Sequence, residues 1–203
     1  MKDFTARFVT PLASVRPRGG RLIEGFSPKL QRRVRVFSHA SFTQWIRLEA
    51  DPAVSAFCER PARLTREPGA RLIDFWLESA KGEEMLLLEP DEPGVGPLQV
   101  DGIPVRAVSA AELAAARVWV ANWSCMLPVI NATRALLPQA LLESVVRHVR
   151  EPVPLVVLEE KLSFGEPSLA RGAIFEQIRA GRIGALSLQT QPISLHTMLE
   201  PIA

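Results

Sequence analysis

Residues 37–90 constrain the fold of this chain most strongly, because a helical pattern there is followed by three short apolar runs. Ser38 is a good N-cap, since its hydroxyl can accept a hydrogen bond from an unpaired amide of the first helical turn. Apolar residues then recur at helical spacing at positions 42, 45, 46 and 48. Asp51 precedes a proline, which pushes it out of the helical region. The pattern predicts one helix that stops at Asp51.

Three strands are predicted after this helix, joined by short turns. The apolar runs lie at residues 54–61, 72–77 and 85–89, and their lengths are typical of buried strands. Pro68 and Gly69 indicate a turn between the first two runs, because proline presets φ and glycine tolerates positive φ. Residues 81–82 are Lys-Gly and fit the second turn. The stretch therefore predicts a helix followed by a meander of strands.

Several motifs in this stretch match a known pattern. Ser38 opens the helix, residues 51–54 spell Asp-Pro-Ala-Val, and residues 74–75 spell Asp-Phe in a strand. These motifs resemble the amino-terminal half of the TnsA-type transposon endonuclease family, which has a restriction-endonuclease-like fold. The family pattern includes a Glu-Ser-x-x-Glu helix start, an Asp-Pro-x-Val step and a Pro-Asp-Phe strand. The resemblance implies DNA and a transposase, or another mobile-element protein, as partners.

The sequence departs from this pattern where the family holds its metal ion. Ser41 stands in place of the helix carboxylate, Ile73 replaces the proline, and residues 87–90 contain no lysine. Asp74 is the clear match, and Glu89 is a second ligand only if the last strand shifts by one residue, which exchanges its faces. Phosphodiester hydrolysis of this kind needs carboxylates that hold a divalent ion such as Mg²⁺. We therefore expect a degenerate site, with Asp74 and Glu89 as catalytic and metal-binding residues if Mg²⁺ is bound.

Positive charge is concentrated in residues 1–50, which carry ten Lys or Arg against three acids. This quarter has a net charge of +7 and the rest of the chain −5, for a total of +2. Clustered cations neutralise phosphates and release counterions, which favours a nucleic-acid surface. A solubilising or partner-binding tail is the alternative. The candidate DNA-binding residues of this part are Arg18, Arg21, Lys29, Arg32, Arg33 and Arg35.

The composition argues against a membrane protein, a secreted protein and a zinc-binding protein. The chain is 47% hydrophobic, which is enough for a substantial core, yet it has no apolar run of membrane-spanning length. Its start lacks a signal-peptide pattern, so we expect a cytoplasmic protein without a membrane partner. Cys58 and Cys125 lie in apolar surroundings typical of buried, reduced thiols. The three histidines are too dispersed for a zinc pattern.

Three domains are predicted along the chain. Residues 1–36 are rich in proline and glycine and predict an extended basic arm, in which Val34 and Val36 alternate with arginines as in a short edge strand or a docked arm. Residues 37–128 predict the nuclease-fold domain. Its last helix starts with a capping box at Ser109, runs to about residue 126, packs on the sheet and is broken or kinked by Pro128.

Residues 129–203 predict a winged-helix-like domain. Helices are expected at 138–149, 154–162 and 168–180, followed by strands at 182–188 and 192–198. In the DNA-reading version of this motif the third helix lies in the major groove. Its predicted outward residues include Arg171, Gln177 and Arg179, of which Arg171 and Arg179 are the candidate DNA contacts. Contact with a protein partner or simple packing is the alternative for this helix.

The fold class predicted is therefore α/β, with a restriction-endonuclease-like mixed sheet and flanking helices, followed by a mostly helical winged-helix-like part. The first hypothesis for function is a TnsA-like, catalytically degenerate subunit that binds DNA and assembles a transposition or other mobile-element complex. The second is an active metal-dependent endonuclease that uses Asp74 and Glu89. The third is a winged-helix transcription regulator. The sequence leaves the oligomeric state open.

Overall fold

The computed structural model describes residues 6–88 and 98–202, which fold into two units. The first unit comprises the chain up to Glu49 together with Ala53–Ala115, and the second comprises Ala50–Pro52 and the chain from Ala116 onward. The predicted α/β class is confirmed, since several helices accompany a mixed five-stranded sheet. None of the helices in the described ranges has the length and hydropathy needed to cross a bilayer.

The first unit contains a hairpin, a central sheet and two helices. Its elements in chain order are β1 (Ile23–Ser27), β2 (Arg32–Val36), α1 (His39–Ala50), β3 (Val54–Glu59), β4 (Phe75–Ser79), β5 (Gly82–Leu88), β6 (Leu98–Val100), β7 (Ile103–Val108) and α2 (Ala110–Ala115). The predicted helix and strand meander are present. Ser38 Oγ accepts the backbone N–H of Ser41 at 3.0 Å, which is the expected N-cap. The tight β4–β5 turn uses Gly82 at φ +112°.

The central sheet has the strand order β3-β4-β5-β7-β6. Strands β3, β4 and β5 form an antiparallel meander, β7 runs parallel to β5, and β6 closes the edge as an antiparallel partner of β7. One face of this sheet carries a buried apolar group that we name the Trp76 cluster. Its members are Cys58, Ile73, Trp76, Met85, Leu87, Val100 and Ile103.

A segment near the start of the chain covers the Trp76 cluster. Ala6 and Phe8 pack against it, and the ring of Phe8 meets the Trp76 ring edge to face at 5.5 Å. Arg7 pairs with Glu83 and donates to the backbone oxygen of Asp101 at 2.9 Å. This part of the predicted arm is therefore docked on the sheet and contributes to the hydrophobic core.

The predicted extended arm also contains a regular hairpin. Strands β1 and β2 pair in antiparallel register, with Glu24 opposite Arg35. Val34 and Val36 are buried while Arg33 and Arg35 are exposed, so the alternation noted in the sequence is that of a strand with one buried face. The expectation of little regular structure in residues 1–36 is wrong for this stretch, because the valine face finds a core to pack against.

The predicted helix after Ser109 is two helices. Ser109 Oγ accepts the N–H of Glu112 at 3.1 Å, as the capping box predicts, but α2 ends at Ala115. The next helix, α3 (Arg117–Thr133), belongs to the second unit and does not complete the sheet of the first. The division between the units therefore falls before α3 rather than after residue 128. Pro128 lies inside α3, which continues for five more residues because buried side chains on both sides of the proline hold it.

The second unit consists of four α-helices and a small sheet. After α3 come α4 (Gln139–His148), β8 (Val153–Pro154), α5 (Leu155–Leu162), α6 (Pro167–Arg179), β9 (Ile183–Gly184) and β10 (Met198–Pro201), with 3₁₀ turns at Arg134–Leu136 and Leu186–Gln189. The sheet order is β8-β10-β9 with antiparallel pairs. Helices α3 and α6 approach closely at Gly172, where a Cβ would lie 2.0 Å from Thr133 Oγ1.

The three predicted helices of this part are present, whereas its strands are shorter than predicted. The expected strand at 182–188 is limited to Ile183–Gly184 because a 3₁₀ turn follows, and the returning strand is Met198–Pro201. Gly181 at φ +65° ends α6 as a left-handed C-terminal residue, as predicted.

Candidate functional site

Asp74 lies where the sheet ladder continues past the start of β4. Its backbone N–H donates to Leu86 O at 3.0 Å, and its backbone oxygen accepts the N–H of Arg60 at 2.9 Å. The carboxylate oxygen Oδ2 accepts the N–H of Leu88 at 2.8 Å. The guanidinium of Arg71 lies 3.7 Å from the same oxygen and donates to Leu88 O at 2.6 Å. Asp74 and Arg71 together satisfy the backbone polar groups at the end of β5.

The sheet face beside Asp74 is apolar. Asp74 lies in a bend one residue before β4, where the alternation of side chains between the two faces of a strand does not apply, and the first side chain of β4 on the face of the Trp76 cluster is that of Trp76. Trp76 pairs with Met85 across the sheet, which puts Met85 and Leu87 on that face as well. Leu87 is 6% exposed and belongs to the Trp76 cluster. The β5 residue that precedes Leu88, the backbone partner of Asp74, is therefore a buried leucine and not a carboxylate.

Glu89, the second predicted ligand, lies outside the described residues. Within the described ranges, no group of three or more His, Cys, Asp or Glu side chains is placed to hold a metal ion. Ser41, at the position of the expected helix carboxylate, exchanges a hydrogen bond with Ser38 Oγ at 2.8 Å between the two hydroxyls. The Mg²⁺ site thus stays a prediction, to which the described structure contributes the carboxylate of Asp74.

Two of the predicted DNA-binding residues hold the β1–β2 hairpin in place. Arg32 donates to both oxygens of Glu59 at 2.9 and 2.7 Å, and Glu59 is only 2% exposed. Burial acts to lower the pKa of Arg32, but the hydrogen bonds and the charge of Glu59 outweigh it and raise that pKa. Lys29 Nζ donates to Leu48 O at 2.7 Å in the last turn of α1. These two cations serve internal contacts of the first unit.

Arg33 and Arg35 lie on the exposed face of β2 and share one carboxylate. Arg33 donates to Glu24 at 2.7 Å, and Arg35 donates to the other oxygen of Glu24. The hydrogen bonds from Arg33 and then Arg35 lower the pKa of Glu24. Because one carboxylate serves two guanidinium groups, this face retains a single net positive charge.

Arg18 and Arg21 lie on an exposed turn with Arg16, and we name these three residues the arginine turn. The turn is closed by the N–H of Gly20, which donates to Pro17 O at 2.9 Å, and is fixed at its end by the N–H of Arg21, which donates to Phe37 O at 3.1 Å. In the part of the chain that the structure describes, none of the three arginines makes an ion pair. Arg16 was counted among the basic residues of the sequence but not among the predicted DNA contacts. The available signal was its position two residues before Arg18.

The α6 side chains that were predicted to contact DNA make hydrogen bonds within the second unit. Arg171 donates to both oxygens of Glu159 at 2.5 and 2.7 Å, and these hydrogen bonds raise its pKa. Arg179 donates to Glu176 at 2.8 and 2.6 Å. Gln177 is 2% exposed and donates to Leu142 O at 2.7 Å, so its predicted outward position is wrong. The reason is that α6 packs against three helices, which leaves it little outward face.

No model of a known protein family matches this sequence, and a search of curated proteins gives no significant match.

Proposed function

We propose that this chain is a DNA-binding assembly subunit built on a catalytically degenerate nuclease fold of the TnsA-like kind. The observation that carries the proposal is that Leu87, the residue before the Leu88 whose N–H donates to Asp74, is a buried member of the apolar Trp76 cluster. A cation bound at Asp74 would meet leucine rather than a second carboxylate on this strand. A fold of this kind without catalysis would still bind DNA and partner proteins.

The connectivity of both units supports this proposal. Helix α1, the antiparallel meander β3–β5 and the parallel strand β7 follow one another as in a restriction-endonuclease-like core. In the second unit, helix α4 and strand β8 are followed by two helices and by β9 and β10, with β10 in the middle of the sheet. This order agrees with a winged helix. The transposase or other mobile-element protein proposed as partner follows from the sequence resemblance.

The arginine turn is the proposed DNA contact. Its three guanidinium groups are exposed and free of ion pairs within the described residues, so they can neutralise phosphates without first breaking an internal salt bridge. Arg33 and Arg35 would add less, because Glu24 already neutralises half of their charge. The main DNA contact is therefore proposed at residues 16–21 rather than on the β1–β2 hairpin.

Two measurements test the proposal. The purified protein, incubated with supercoiled plasmid and Mg²⁺ or Mn²⁺, should leave the plasmid uncut. Its affinity for a blunt duplex, measured by fluorescence anisotropy from low to moderate salt, should fall steeply with salt. Replacing Arg16, Arg18 and Arg21 by alanine should lower the log–log slope by roughly one unit for each phosphate that the variant no longer neutralises.

A control variant separates a specific surface from net charge. Arg117, Arg147 and Arg150 are exposed residues of the second unit, and replacing them by alanine removes the same charge. Equal slopes for the two triple variants would overturn the arginine turn as the contact. Plasmid cleavage that disappears in Asp74→Asn would instead favour an active endonuclease. Duplex binding that is abolished only in the second triple variant would favour the winged-helix regulator.

A further inference from the structure

An open cleft of about 620 Å³ lies in the first unit, and its lining residues do not include those of the arginine turn. One wall is the strand-like segment after β3, with Arg63 and Arg66, and the other is the edge strand β6 and its turn, with Gln99 and Asp101. The floor between them is apolar and includes Leu64 and Val100, which pack in or against the Trp76 cluster.

Both walls are held by backbone contacts. Leu64 N–H donates to Arg71 O at 2.8 Å, and Arg63 Nη1 donates to Ala70 O at 2.7 Å. These two hydrogen bonds fix the backbone of the first wall. Val100 pairs with Ile103 across the β6–β7 turn, and Arg7 holds the backbone oxygen of Asp101. The shape of the cleft is therefore set by the fold, and a ligand would meet preformed walls.

The charged residues of the cleft lie on both walls, with Arg63 and Arg66 on one and Asp101 on the other. Arg66 and Asp101 both have exposed side chains. Within residues 6–88 and 98–202, neither side chain makes an ion pair. An unpaired guanidinium opposite an unpaired carboxylate across an apolar floor fits a ligand with an anionic end, a flat apolar middle and a hydrogen-bond donor at the far end.

We infer that this cleft binds a nucleotide of an unpaired DNA strand. The phosphate would lie against Arg63 and Arg66, since guanidinium groups match phosphate oxygens. The sugar and base would lie on the apolar floor. The exocyclic amino group of cytosine or adenine would donate to Asp101 or Gln99, because carboxylates accept from the cytosine amine and glutamine pairs with adenine. The cleft has the volume of a small-molecule pocket, so it admits single nucleotides but not a duplex.

This inference takes DNA as the ligand from the proposed function but uses different residues. The arginine turn would bind duplex phosphates, while the cleft would bind an unpaired end. A protein that holds both would prefer duplexes with a single-stranded overhang over blunt duplexes of the same length.

The test compares fluorescently labelled duplexes that are blunt or carry a short overhang of adenine, cytosine or thymine. The wild-type protein should bind the adenine and cytosine overhangs roughly tenfold more tightly than the blunt duplex, as expected for one or two additional hydrogen bonds. Arg66→Ala should remove this preference and leave blunt-duplex affinity unchanged. Asp101→Asn should reduce the cytosine preference relative to thymine, and asparagine tolerates the positive φ of 52° at this position.

Arg150→Ala serves as the matched control, because it removes an exposed arginine of the second unit. Equal affinity of wild-type protein for blunt and overhang duplexes would overturn the inference, as would a preference that survives in Arg66→Ala. Single-stranded oligonucleotides separate this inference from the proposed function. Absence of blunt-duplex binding in all proteins, with Arg66-dependent oligonucleotide binding retained, would reject the arginine turn but support the cleft.

Discussion

The carboxylate of Asp74 accepts the backbone N–H of Leu88 at 2.8 Å and thereby caps the last residue of β5. Arg71 supports this contact by donating to the oxygen of the same residue. A carboxylate at the end of a strand thus has a structural use that needs no metal ion.

Substitution of Asp74 should therefore affect stability in a way that depends on the acceptor. Asp74→Ala leaves the N–H of Leu88 without its partner, and we expect the free energy of unfolding to fall by about 1–3 kcal/mol. Asp74→Asn keeps an oxygen acceptor and should cost less than about 1 kcal/mol. Urea unfolding followed by tryptophan fluorescence measures both.

Metal binding by the same variants distinguishes the capping role from a catalytic one. Titration calorimetry with Mn²⁺ should give no heat of binding for the wild-type protein or for Asp74→Asn. If the wild-type protein binds Mn²⁺ and Asp74→Asn, though equally stable, does not, then Asp74 is a metal ligand and the degenerate-site proposal fails.

The two arginines at the start and middle of β2 should differ in their contribution to stability. Arg32→Ala leaves Glu59 buried without its partner, and breaking such a pair costs several kcal/mol when both groups are desolvated. Because the Arg32 head is about one-quarter exposed, we expect a decrease of about 2–3 kcal/mol in the free energy of unfolding. Arg33→Ala, which removes an exposed pair, should cost less than about 1 kcal/mol. Thermal unfolding of both variants at one salt concentration tests the contrast, and equal decreases would contradict it.

The second unit should fold only when it includes α3. A fragment of residues 116–203 contains the Asn122 side chain, which donates to Leu188 O at 2.7 Å and Gln191 O at 2.8 Å. It also contains Trp123, Met126 and Ile130, which are fully buried. We expect this fragment to unfold cooperatively on heating, as monitored by circular dichroism. A fragment of residues 129–203 should show no cooperative transition, and a similar melting temperature for both would contradict the observed division.

Stability at alkaline pH should depend on Cys58. Burial, followed by the negative charge of Glu59, raises the pKa of this thiol to about 11 from its ordinary value of 9.0. Below pH 9 the thiol is protonated in both the folded and the unfolded chain, so its full contribution to the free energy of unfolding is present. Between pH 9 and 11 only the unfolded chain ionises, and the free energy of unfolding should fall by up to roughly 2–3 kcal/mol.

The measurement is a series of urea unfolding curves at rising pH under reducing conditions. The difference in unfolding free energy between the wild type and Cys58→Ala should shrink as pH rises through this range. Cys125→Ala is the control, because Cys125 is exposed, contrary to the expectation of a buried thiol, and its removal should leave the pH dependence unchanged. Parallel curves for the wild type and Cys58→Ala would show that the thiol does not couple to folding.

Features with local causes were predictable from the sequence. The helix start at Ser38, the turn at Gly82 and the helix end at Gly181 each depend on residues within a few positions, and each is found where predicted. The meander from β3 to β5 was also predictable, because apolar runs separated by turn residues leave few other arrangements. Three of the four helices of the second unit, α4, α5 and α6, were also predictable from the spacing of their apolar residues.

The role of each charged residue could not be predicted in this way. Arg18 and Arg32 look alike in a count of basic residues. Arg32, however, pairs with Glu59, which lies on β3, 27 positions further along the chain. Gln177 was assigned an outward position on α6, but the helices that pack against α6 bury it.

The sequence by itself determined the helices α1, α4, α5 and α6, the turns and the strand meander, because hydrogen bonds and φ preferences within a few residues set them. The tertiary structure alone decided that α3 belongs to the second unit, that Arg32 pairs with Glu59, and that Leu87 is buried in the Trp76 cluster. Each of these outcomes depends on residues distant in sequence that compete for the same buried space. The free energy of such packing depends on the whole fold rather than on any local pattern.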